Sequence, residues 1–188
     1  MPARQYHPEP RQAASLPLLW LLSDERNDES LAQALAALPA GSGFVFRHYH
    51  LAPEQRAHRY TELAALARAH GHTVIVGGEM PAAARADGVY GSPAAVRGTR
   101  GLRLATAHDG EELARAVEAG ADGVFLSPVF PTRSHPQAQT LGVHGFHVLA
   151  QQASVPVIAL GGMTRARAAE LDWPRWGAID GLGSPQER

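Results

Sequence analysis

Eight short apolar runs recur along the chain, and between most of them lies a stretch rich in Ala and Leu with helical spacing. The runs cover residues 18–22, 43–46, 73–76, 88–90, 102–105, 123–126, 155–160 and 176–179, and the helical stretches cover 30–38, 54–70, 111–119, 146–153 and 165–171. Short runs without polar alternation suit strands buried on both faces, and strands alternating with helices form a parallel sheet of βα units. The third connection, 81–86, has room for barely one or two turns, and the fourth, 91–101, is short and rich in Gly. The expected fold class is therefore α/β, a small (β/α)8 TIM barrel with shortened third and fourth βα connections. An open doubly wound sheet of the dinucleotide type would need a Gly-rich turn after its first strand, where Ser23, Asp24, Glu25 and Arg26 stand instead.

A chain of 188 residues, 45% of them hydrophobic, suits one domain. Residues 16–184 are expected to form the barrel, with a flexible N-terminal tail at 1–15 and a C-terminal tail at 185–188. The first fifteen residues hold no apolar run long enough for a signal peptide or a membrane span, which places the expected protein in the cytoplasm. Seventeen basic residues against eighteen acidic ones leave a net charge of -1, too little to recruit nucleic acid or an anionic membrane. Cysteine is absent, and every basic residue is arginine. Thiolate chemistry, Schiff bases and lysine proton shuttles are thereby excluded.

Barrels of this kind carry their working residues at the carboxyl ends of the strands. Asp24 and Asp180 end strands that become neighbours when the barrel closes, so they are weak candidates for a cation-holding pair, with Glu79 as a third. The Gly161–Gly162 turn before Thr164 offers backbone N–H groups to an anion, or serves as a tight turn before a helix cap. Segment 127–142 is long for a βα loop, and its Thr132, Arg133, Ser134 and His135 suggest an anion-binding lid. Of ten histidines, His70 and His72 fall on the opposite rim and cannot converge with the others on zinc. His108 and His135 are the better candidates for acid-base work.

The run GADGVFLSPVFPTRSHPQAQTLGVHGF, residues 120–146, resembles the strand and lid motif of the thiamine phosphate synthase family and of its sister branch, the thiazole tautomerases. Thr106, His108, Glu111 and Glu112 are similar to that family's Ser-x-His-x-x-Glu-Glu, and VPVIALGGMT, 155–164, extends the likeness. The resemblance implies a (β/α)8 barrel that couples a hydroxymethylpyrimidine diphosphate to a thiazole phosphate through a pyrimidine carbocation, with Mg2+ assisting. Carried across by position, Arg47 would hold pyrophosphate, Thr106 would replace a serine, Thr132 and Ser134 would face the thiazole phosphate, and Gly162 would bind its phosphate.

The chain departs from that pattern at four places. The second-strand lysine is Tyr49, the lid lysine is His135, the Asn-Asp-Asp after the third strand is Gly77, Gly78 and Glu79, and Gly91, Ser92 and Pro93 lack the next aspartate. The sister branch's catalytic histidine aligns with Pro128. The expected function is a divergent thiamine phosphate synthase-like transferase, using Mg2+ if that reading holds. The alternatives are a metal-independent tautomerase or isomerase using His135 or His108, and a non-catalytic binder of thiamine phosphate or thiazole phosphate. The expected partners are a small phosphorylated heterocycle and, at most, a second copy in a homodimer.

Overall fold

A computed structural model of the chain describes residues 16–80, 85–133, 137 and 139–182. Eight parallel strands close into a barrel in chain order: β1 (Leu19–Leu22), β2 (Gly43–Phe46), β3 (Thr73–Gly77), β4 (Gly88–Gly91), β5 (Leu102–Ala107), β6 (Gly123–Leu126), β7 (Val157–Ala159) and β8 (Trp176–Ala178). β1 pairs with β8 as well as with β2, which completes the ring. Helices α1 (Leu31–Ala37), α2 (Pro53–Ala69), α3 (Pro93–Val96), α4 (Gly110–Glu118), α5 (Gly142–Ala150) and α6 (Arg165–Leu171) lie between strands, and a 3-10 helix (Glu25–Ser30) precedes α1. Most of the third connection, 81–84, lies outside the described residues, and the fourth holds only the four residues of α3, as its shortness predicts. The two expected tails lie outside the described residues. No helix of the described residues is long and apolar enough to cross a membrane.

Alternation along each strand divides the core into an inside and an outside. Trp20, Leu22, Val45, Ile75, Leu104, Phe125 and Ile158 fill the barrel. Phe44, Phe46, Val74 and Val76 face α1 and α2 through Leu31, Leu35, Tyr60 and Leu63, while Val124, Leu126, Val157 and Ala159 meet Leu113, Phe146 and Leu171 on the other side. A small barrel can take an indole inside only if its neighbours give way. Trp20 is wholly buried, stands edge-on to Phe125 at 5.7 Å, and is paired in register with Gly43 on one side and Gly177 on the other. A Cβ on Gly43 would fall inside the indole ring.

One helix boundary differs from expectation by a full turn. α5 starts at Gly142, not at 146, because the loop before it returns early: the Leu141 and Gly142 N–H groups donate to the carbonyls of Pro128 and Val129 at 2.9 and 3.0 Å. The 3-10 helix lies just before the expected helical stretch, on a polar ERNDES sequence that Asp24 caps reciprocally with Asn27. Asn27 is itself buried, and its side-chain amide donates to Leu22 O on β1 and to Ile179 O just past β8, at 3.0 and 2.8 Å. It therefore locks the seam of the ring.

Overpacking a filled core costs roughly 1–3 kcal/mol. Gly43→Ala is expected to destabilise the barrel by that order, read as a lowered urea midpoint at unchanged slope; a midpoint within error of the parent would refute the account of Trp20.

Candidate functional site

The carboxyl rim encloses a cavity of about 550 Å3 whose lining includes Arg47, Tyr90, Thr106, His108, Thr132, Arg133, Gly161, Gly162, Thr164, Arg167 and Asp180. A smaller cavity of about 170 Å3, lined by Ser23, Asp24, Glu25, Arg47, His48, Tyr49 and His50, shares Arg47 with it. Most of the residues expected at the site thus meet in one place. Glu79 is exposed and lines neither cavity, while Ser134 and His135 lie outside the described residues.

Asp24 and Asp180 do approach one another, but around a guanidinium. Arg26 Nε lies 2.8 Å from Asp24 Oδ1 and its Nη1 lies 3.8 Å from Asp180 Oδ2, while Arg47 Nη2 lies 3.6 Å from Asp24 Oδ2. Burial works against the charge of Asp24, yet the hydrogen bonds from Arg26 and the nearby Arg47 outweigh it and hold the carboxyl below its usual value. Among the described residues no three histidine or carboxylate side chains converge as a metal site, and 81–84 carry no donor side chain. The donors at this rim, two carboxylates already neutralised by arginine and glycines at 77, 78 and 91, do not suit a hard divalent cation that wants several free oxygens.

At the far wall, the Gly161–Gly162 turn has positive φ at both residues, 92 and 63. The start of the 127–142 segment is laid directly on it: Val129 N–H donates to Leu160 O at 2.9 Å and Phe130 N–H to Gly161 O at 3.1 Å. A Cβ on Gly161 would meet Pro128 Cα at 2.6 Å, and one on Gly162 would meet Pro131 O at 2.5 Å. Two requirements, positive φ and close approach, demand glycine there, and the turn also forms cavity wall. Arg167 pins the arrangement, donating to Gly162 O at 2.6 Å with its guanidinium 5.2 Å from the Phe130 ring centroid. Thr164 caps α6 by accepting from Arg167 N–H at 3.2 Å.

His108 is 58% exposed, and its backbone N–H and Nδ1 both lie against Glu112 Oε2, at 2.9 and 2.7 Å. The His-x-x-x-Glu spacing therefore ties the end of β5 to the first turn of α4, which Asp109 caps through Glu112 N–H at 2.8 Å. Thr106 Oγ1 donates to Gly91 O at 3.4 Å.

The features that sequence reasoning missed lie around β2 and α2. Arg56, on the stripe of α2 that also buries Tyr60, Leu63 and Ala67, is itself buried. Its guanidinium donates to the carbonyls of Arg47, Gly77 and Glu79 and lies 5.4 Å from the Phe46 ring centroid. An arginine on an otherwise apolar helical stripe is the signal that could have exposed it. His48, wholly buried at a φ of 23, stacks on Phe46 with Nδ1 2.7 Å from Ser23 Oγ and Nε2 2.8 Å from Asp28 Oδ1. Ser23 Oγ also accepts from the Arg47 N–H at 2.7 Å, and Arg59 binds Asp28 at 2.8 Å. The chain Arg59, Asp28, His48, Ser23 thereby fixes the backbone that carries Arg47. Burial lowers the His48 imidazole despite Asp28, and the hydrogen bonds from His48 and Arg59 hold Asp28 low against its own burial.

The model of the family described as thiamine monophosphate synthase matches residues 19–173. The chain belongs to the thiamine monophosphate synthase family. Among its relatives, the thiamine-phosphate synthase of Chloroflexus aurantiacus is 33% identical over 147 residues, 72% of this chain and 68% of that protein. That of Thiobacillus denitrificans is 34% identical over 153 residues, 75% and 72% of the two chains. The match to the enzyme of Methanoregula boonei, 35% identical, spans 58% of this chain and 56% of that one. A solved thiamine phosphate pyrophosphorylase from Pyrococcus furiosus shares the fold, with a TM-score of 0.76 at 22% identity over 90% of this chain and 89% of that one.

The His48 network predicts a pH dependence. A folded pKa lowered below the unfolded value means that the unfolded chain takes up a proton first, so stability falls as pH drops from about 6.5 toward the folded pKa. Asp28, also lowered, adds its loss only below about pH 4. His48→Asn, which tolerates positive φ, is expected to flatten the fall in urea midpoint between pH 7.5 and 5.5; an unchanged slope would remove His48 as its source.

Proposed function

We propose that the chain is a divergent thiamine phosphate synthase-like transferase that joins a hydroxymethylpyrimidine diphosphate to a thiazole phosphate, yielding thiamine phosphate and pyrophosphate. One observation carries this reading: a single cavity with two anion-receiving walls, Arg47 after β2 and the Gly161–Gly162 turn with Thr164 and Arg167 after β7. The rim residues Thr132 and Arg133, together with Ser134 and His135, belong in this reading to the thiazole phosphate side. Thr106 and His108, the latter held by Glu112, face the substrates between the two walls.

In the reaction the pyrimidine methylene–oxygen bond breaks and its electron pair leaves on pyrophosphate, while the thiazole nitrogen supplies the pair for the new C–N bond. Such a step asks the protein to orient two substrates and to stabilise a departing anion rather than to move a proton. An all-arginine site suits that demand, because guanidinium keeps its charge throughout the physiological range. The sister branch's proton carrier falls where Pro128 packs on Gly161, which leaves an isomerase only His108 or His135. The synthase names of the relatives also favour transfer over isomerisation or silent binding.

The test is a coupling assay with both substrates that detects pyrophosphate and thiamine phosphate together. Turnover is expected, and Arg47→Gln should lower kcat by about a hundredfold, the usual order for losing one charge-stabilising donor. A folded protein without turnover would refute the proposal. A rise in melting temperature with thiamine phosphate would then assign the chain a binding role.

A further inference from the structure

The corner between β2 and β3 is built differently from the rest of the rim. Tyr49, 56% exposed, lays its ring over the Gly77–Gly78 turn. Its phenol oxygen stands within clashing distance of where a Cβ on Gly77 would be, and its ring edge would be 3.1 Å from a Cβ on Gly78, whose φ is +72. The tyrosine thus occupies space that any side chain at 77 or 78 would claim. Arg47 and Arg56 flank that ring, their guanidinium carbons 5.7 and 5.6 Å from its centroid. The Arg47 Nε is buried and lacks a hydrogen-bond partner among the described residues. Arg56 spends its N–H groups on backbone carbonyls, and no ion pair with a carboxylate is seen for it among the described residues, so its positive charge stands behind the corner uncompensated.

We propose that this corner holds a diphosphate without a divalent cation, through the Arg47 guanidinium and the phenol O–H of Tyr49 above the Gly77–Gly78 turn. The proposal rests on the transferase reading for the identity of the anion. Charge that a metal would bring is supplied by Arg56 and by Arg47, which also lies 3.6 Å from Asp24, and the carboxylates that would hold a metal are engaged chiefly by Arg26. Burial raises the Tyr49 phenol, against the two arginines, so at neutral pH it keeps the proton it must donate. An O–H given to a charged oxygen is among the stronger hydrogen bonds.

The probe is inorganic pyrophosphate, titrated calorimetrically into the full chain in the presence of EDTA and, separately, of Mg2+. Binding is expected in EDTA, with a Kd within about threefold of that in Mg2+, since no charge at the site depends on the metal. Tyr49→Phe should weaken it about tenfold, the usual order for a hydrogen bond to a charged group. Gly77→Ala, which drives a methyl group into the phenol, should weaken it similarly while leaving both arginines in place. Binding that requires Mg2+, or binding indifferent to both substitutions, overturns the proposal. The coupling assay, run alongside, separates the two readings: turnover with Mg2+-dependent binding removes only the metal-free corner, metal-free binding without turnover removes only the transferase, and the absence of both removes both.

Discussion

The pairing of β1 with β8 is the contact on which the site depends. Until the ring closes, Asp24 and Asp180 are distant in the chain and Arg26 has only one of them to hold. Once it closes, the seam is sealed twice, by the strand pairing and by the Asn27 amide bridging Leu22 and Ile179. A buried side-chain amide left unsatisfied costs about 1–3 kcal/mol, so Asn27 is bound to the closed state as firmly as an apolar residue is. The 3-10 helix that Asn27 and Asp24 cap then presents Arg26 to both carboxylates.

The fold was legible because a barrel strand buries both faces and therefore reads as an uninterrupted apolar run. All eight runs became strands, with ends displaced by a residue or two where pairing stops, as at β7, whose expected 155–160 contracts to Val157–Ala159. Much of the site was legible as well, since the carboxyl ends of the strands and the loops that follow them form the rim around the mouth. Thr106, His108, Thr132, Arg133, Gly161 and Gly162 all line the cavity for that reason. What stayed hidden depends on contacts across the ring or from a helix. Nothing local says that Arg26 will sit between two aspartates, and only its place on the apolar stripe of α2 marks Arg56 as turning inward beneath β2 and β3. The Asp24–Asp180 pair reads as an open carboxylate cluster only when the guanidinium between them is unknown.

An arginine-only chain also changes how charge is stored. A lysine can be buried by giving up its proton, but a guanidinium must carry its charge inward and find oxygens for each N–H. Arg56 does so with backbone carbonyls, Arg167 with the carbonyl of Gly162, and Arg47 only in part. Arg56 acts as a strut, Arg167 braces the Gly162 turn while lining the larger cavity, and Arg47 lines both cavities.

Arg56 and Arg59 leave α2 one turn apart, the first reaching under the Gly77 turn and the second holding Asp28. A helix of seventeen residues is a stiff rod of about 25 Å. Any sliding or tilting of that rod would shift both networks in the same direction, so the charge behind Tyr49 and the backbone beneath Arg47 cannot be adjusted separately. Change in this corner of the rim should therefore come through replacement of the side chains that α2 supports, while the rod itself stays in register.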